Sequence, residues 1–161
     1  MTADADARRL VIVDADMLAG WRRVTSSLEQ LHTAVDDLRS QAPDAVVAVI
    51  SDPALKWALP ESDRLRMEED IRTGALLLAP AGCDGGHLGF IARTVEKATA
   101  DGWRAVVVTD RAIPGARLAR VRREGTRWVF DLEGIELAAD RAAAVGSRGG
   151  RRRRPSPAPE A

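Results

Sequence analysis

The chain has 161 residues, 45% hydrophobic and 30% charged, which fits one soluble globular domain with room for a proper core. No apolar run reaches the roughly eighteen residues that a membrane span needs, and the opening MTADADARRL has no hydrophobic segment, so neither a span nor a secretory signal is expected. The net charge is zero, but five Arg against one Glu from Arg148 onward put +4 on the tail and leave −4 on the body, which is not the profile of a generic DNA-binding protein. The single cysteine, Cys83, excludes an internal disulfide and suits a cytoplasmic location.

In chain order, the first strand is LVIV (10–13), an apolar run without alternation, as strands covered on both faces read. A helix follows, with a capping box at Ser26 and Glu29 and with Leu28, Leu31, Val35 and Leu38 on one face. AVVAVI (45–50) is the second strand. Pro60 to Thr73 is a charged second helix closed by Gly74, with Glu68, Glu69 and Asp70 on a solvated face. ALLLAP (75–80) is a third strand, and His87 to Asp101 a third helix ended by Gly102. AVVVTD (105–110) is a fourth strand, and Pro114 to Glu124 is expected to be a basic helix with Leu118 and Val121 inward and Gly125 as its stop. TRWVFDL (126–132) is a fifth strand. This alternation predicts an α/β fold with three α/β/α layers and a mainly parallel sheet of about five strands. The expected organisation is a flexible N-terminus over 1–8, the domain over 9–145 and a disordered Arg/Pro-rich tail over 146–161.

Ligands of open parallel sheets sit outside the carboxyl ends of the strands, and acids collect there. Asp14 and Asp16 follow the first strand, Asp52 the second and Asp84 the third, while Asp110 ends the fourth. Several carboxylates converging on a hard cation is how Mg²⁺ or Mn²⁺ is held beside a phosphodiester. Asp14 and Asp110 are the catalytic candidates, and Asp14, Asp110, Asp84 and Asp16 the metal candidates. Asp52, before Pro53, reads as a turn or cap residue, and His87 as an exposed helix start. Trp21, Arg22, Lys56 and Arg111 lie near the same edge as candidates for stacking on bases and holding phosphate; Trp103 and Trp128, at strand starts, read as core. The chain has no zinc-type His/Cys cluster, Ser/His/Asp spacing or P-loop.

The order of these motifs resembles the NYN domain of the PIN-like ribonuclease superfamily. VIVDADML is similar to its first strand and acid. SDRLRMEEDIRTGALLLAPAGCDGGHLGFIARTVEKA is similar to the middle of Regnase-type and bacterial NYN domains, and AVVVTDRAIPGARLARV to their strand ending in Ser/Thr and Asp. The resemblance covers about residues 9 to 132. It implies a three-layer domain that binds Mg²⁺ or Mn²⁺ and cuts single-stranded or structured RNA, with Asp14 and Asp110 as the matching acids. It departs from the pattern in four places: Met17 stands for an Asn, His87 and Leu88 for an Asp pair, Thr109 directly adjoins Asp110, and Pro114 replaces a further acid. Three functions follow as expectations: a metal-dependent endoribonuclease, a catalytically degenerate RNA-binding module of the same fold, and a haloacid-dehalogenase-like phosphatase using the Asp14-x-Asp16 pair with Ser51 and Lys56. RNA is the expected partner, a homodimer is compatible with the chain, and no membrane is expected.

Overall fold

The computed structural model describes residues 7–135. Eleven elements follow in order: β1 (Arg9–Asp14), α1 (Ala15–Ala19), α2 (Leu28–Gln41), β2 (Val46–Ser51), α3 (Leu55–Ala58), α4 (Glu61–Thr73), β3 (Leu77–Leu78), α5 (Gly86–Ala100), β4 (Arg104–Val108), β5 (Arg117–Glu124) and β6 (Arg127–Ile135). The strands form one sheet in the order β3-β2-β1-β4-β5-β6, parallel up to β5, with β6 antiparallel at the end. The fold is therefore the expected α/β class, with six strands rather than five. The predicted tail and residues 1–6 lie outside the described residues.

Strand pleating divides the core into two layers. Val11 and Val13 of β1 join Leu28, Leu31 and Leu38 of α2 and Met67 of α4 on one side. Ile12 points the other way, with Val107 of β4, toward Ile91 and Val95 of α5. An apolar run is needed in β1 because both of its faces are covered. The chain runs from β1 outward through β2 to β3, then returns to lay β4 on the other flank of β1. The sheet thus reverses its order between β1 and β4, the point where parallel α/β sheets open a crevice.

The expected helix over 114–124 is a strand. Leu118 and Val121 suggested one helical face, but they face opposite layers: Leu118 packs with the α5 cluster, whereas Ala119 and Val121 pack with the α2 cluster. Gly125 is not a helix stop; with φ +62 it opens the two-residue turn between Glu124 and Arg127. The capping residue of α2 is Ser27, whose Oγ accepts from Gln30 N at 3.1 Å, rather than Ser26. The serine pair offers the same spacing in two registers, and Gln30 decides between them by donating its amide to the carbonyls of Leu18 (2.8 Å) and Trp21 (3.1 Å). The third strand is shorter than expected, only Leu77–Leu78, both exposed at the sheet edge. Asp70 leaves the solvated face of α4 to meet His32 of α2 at 2.5 Å. Gly74 does terminate α4 in a left-handed conformation, φ +81.

The outer strand β6 is tied to α2 by side chains. Asp37 Oδ2 accepts from Trp128 N at 2.9 Å, Gln41 Nε2 donates to Trp128 O at 2.7 Å, and Gln41 Oε1 accepts from Phe130 N at 3.0 Å. Trp128 is fully buried in the α2 layer, as expected, while Trp103 is half-buried beneath Arg8. Gln41→Ala strips two β6 backbone groups of their partners and is expected to cost about 2 kcal/mol of stability. Urea denaturation checks this, with Ser40→Ala, on the exposed side of α2, expected to unfold like wild type.

Candidate metal centre and its cleft

Asp14 ends β1 and caps α1, and it is 2% exposed. A buried carboxylate needs hydrogen-bond partners, and this one has two donors and an imidazole nitrogen beside them. Met17 N donates to Oδ1 at 3.3 Å, His87 Nε2 lies 3.1 Å from Oδ1, and Thr109 Oγ1 donates to Oδ2 at 2.8 Å. The Thr109 hydroxyl in turn accepts from Arg111 N at 3.2 Å, which fixes its direction. The adjoining strands β1 and β4 thus lock the Asp14 rotamer between them.

His87 reaches this acid because of the turn before it. Gly85 (φ +75) and Gly86 (φ +65) take left-handed conformations that bend the chain into α5. At Gly89 a methyl group would overlap the Asp84 carbonyl oxygen, so glycine is required there for the loop to close on the helix. The glycines of CDGGHLG carry a histidine to the sheet edge. Its imidazole is 18% exposed and spans two carboxylates, with Nδ1 at 3.6 Å from Asp52 Oδ2. Asp52 also keeps its expected turn role, accepting from Ala54 N at 2.8 Å.

Asp16, on the first turn of α1, accepts from Asp52 N at 3.1 Å. Its donor atom, with those of Asp14 and His87, forms a group lying within 4.8 Å of one another. A divalent cation about 2.1 Å from each donor keeps its ligands roughly 3 to 4 Å apart, so the group fits one ion with little adjustment. Burial holds the Asp16 carboxyl above the usual aspartate range; the Asp52 N–H and His87 oppose that rise, and the nearby Asp14 adds to it.

These residues line a cleft of about 590 Å³. Its walls include Met17, Trp21 and Leu88, and Arg22, Asp110 and Arg111 complete it. Trp21 is braced edge-on against Trp128, with ring centroids 5.9 Å apart, and the Arg22 guanidinium stands 5.8 Å over the Trp21 ring. Arg22 is, among the described residues, the one non-glycine with positive φ (51°). A bulky residue held in that conformation is strained, and such strain concentrates where side chains are aimed at ligands.

Four expected site residues therefore meet in one cleft beside Asp14: Asp16, Trp21, Arg22 and Arg111, with Asp110 at its rim. Asp110 is exposed and stands outside the three-residue donor group. Asp84 does not line this cleft; it is exposed, and its carbonyl accepts from Arg93 at 3.3 Å. Lys56 is held by Glu68 and lies beside Trp57, away from Asp14. Two participants escape a reading of the sequence. His87 looks like an exposed helix start until the paired glycines are placed. Thr109 looks like a strand end, and only its place next to Asp110 in the Ser/Thr-Asp motif marks it.

Comparison with protein-family models, curated proteins and solved structures gives no match to this chain.

Because its carboxyl holds a proton more tightly when folded, Asp16 stabilises the protein at low pH, and that contribution is lost as pH rises through its raised pKa. Above it, the charged carboxylate is a standing cost unless a cation offsets it. Asp16→Asn, which keeps an oxygen for the Asp52 N–H, is expected to raise the melting temperature at pH 7 in EDTA by a few degrees. The same variant should lose the increment that Mn²⁺ gives the wild type. Differential scanning calorimetry with and without Mn²⁺ tests both signs.

Proposed function

We propose that the protein is a metal-dependent endoribonuclease of NYN/PIN-like type that hydrolyses RNA phosphodiesters. The observation that carries this reading is the convergence of two carboxylates and an imidazole on one point at the β1/β4 crevice, with Arg22 and Arg111 in the same cleft. The NYN-like motif order is consistent with it: Asp14 stands at the first-strand acid and Asp110 at the late-strand acid, while His87 and Leu88 depart from the Asp pair that opens the family's third helix. The mixed oxygen and nitrogen donors suit Mn²⁺ better than Mg²⁺, which prefers oxygen alone.

A cation held there supplies a Lewis acid at the reacting phosphate and makes nearby water more acidic. The protein residues do the rest. Asp14, Asp16 and His87 hold the cation, and Thr109 orients Asp14. Arg22 and Arg111 bind phosphate oxygens and set the scissile bond over the acids. Asp110, solvated at the rim, accepts the proton of the attacking water as the phosphorus–oxygen bond to the leaving nucleoside breaks. Trp21 forms the wall against which a sugar or base rests.

A second reading, an RNA-binding module without cleavage, draws on the His87 contacts. The imidazole already fills the space between Asp14 and Asp52, with ring nitrogens 3.1 Å and 3.6 Å from the two carboxylates. Its signature is RNA binding indifferent to EDTA, with a salt dependence that weakens when residues 148–161 are deleted.

Purified protein should cleave unstructured RNA with Mn²⁺, and Asp14→Asn should reduce the rate by about 1,000-fold or more, roughly 4 kcal/mol of barrier. Retained cleavage in that variant rules out this site, and EDTA-insensitive binding without cleavage by the wild type selects the second reading. Thr109→Val removes only the hydroxyl that orients Asp14, so it is expected to weaken Mn²⁺ binding about 10- to 100-fold by titration calorimetry while the fold is kept.

A further inference from the structure

Resting on the ribonuclease reading, the geometry points to a single-strand track along the carboxyl edge of the sheet, with Trp57 as a base-stacking platform at one end. Trp57, on the one-turn helix α3, is 69% exposed. Its indole therefore offers an open face to solvent, the kind of platform on which bases stack. Lys56 Nζ stands 5.5 Å and Arg64 Cζ 5.1 Å from its ring centroid, and Arg64 is steadied by donating to the Lys56 carbonyl at 3.2 Å. The indole is thereby held as a fixed plate between two cations, of which Lys56 is paired with Glu68 and Arg64 is not.

The plate opens onto the metal centre. Trp57 and His87 both line a second cleft, of about 380 Å³, which lies over the ends of β2 and β3. His87 is also a wall of the 590 Å³ cleft over β1 and β4, so the two clefts adjoin at that side chain. Beyond it, Trp21 and Asp110 are shared with a third cleft, of about 210 Å³, that reaches Arg120 on β5. The three follow the strand order from β3 to β5, four strand spacings or roughly 19 Å. That length spans a few nucleotides of one extended strand.

Cations available to phosphates lie along this line: Arg64 beside Trp57, Arg22 and Arg111 in the central cleft with the acids, and Arg120 in the third. A base must be unpaired to stack on Trp57, so the track selects single strands over duplexes.

The test uses the full chain and a fluorescent twelve-nucleotide oligouridylate, with anisotropy in EDTA and steady-state cleavage with Mn²⁺. Trp57→Ala is expected to weaken binding about 10-fold and raise KM correspondingly, leaving Mn²⁺ affinity at the acids unaltered. Trp57→Phe should restore binding to within about 2-fold, because a phenyl ring still offers a stacking face. Binding and cleavage by Trp57→Ala at wild-type levels would overturn the track and leave the ribonuclease reading standing. A wild-type protein that neither binds nor cleaves the oligonucleotide overturns both. Duplex RNA competing as well as single-stranded RNA overturns the stacking platform alone.

Discussion

The buried carboxylate of Asp14 makes demands on every element around it. It sits where the sheet reverses its order, capping one helix, accepting from the neighbouring strand through Thr109 and facing the first turn of α5 through His87. An acid so enclosed is tolerated only while each oxygen keeps its donors. Two of these partners, His87 and Thr109, come from distant stretches of sequence, and their convergence needs β1 and β4 side by side and α5 lying across them. Site and fold are here one constraint, since a sheet with another strand order would leave Asp14 only the N–H of Met17.

Burial also gives the site its character. Asp16 is pressed toward its neutral form by the same packing that positions it, and two carboxylates so close repel when both ionise. A site that is costly when empty favours whatever neutralises it, which is the ordinary exchange of stability for function at metal centres.

How much was legible in the sequence depended on whether a signal was local. β1, β2 and β4 announce themselves because continuous Val and Ile runs suit strands covered on both faces. Asp14 followed, as the polar residue closing such a run. β5 did not, because its Leu118 and Val121 fit a helical spacing as well as a strand, and only partners on opposite sheet faces separate the two. The role of His87 was hidden for a different reason. It is set by backbone φ at Gly85 and Gly86 and by crowding at Gly89, and a run of glycines in a sequence gives no direction to the turn it makes. Asp84, prominent by spacing, lends the fold its carbonyl rather than its acid to the cleft.

The clasp between α2 and β6 gives the sheet a direction of growth. Asp37 and Gln41 take up backbone groups on Trp128 and Phe130 that an added strand would otherwise use, so that part of the rim is closed to a newcomer. The opposite rim is Leu77–Leu78, two exposed residues and little more than a stub. Among the described residues, any chain extending this sheet by main-chain pairing has the β3 side as its open approach, and there it meets a template too short to hold a long strand.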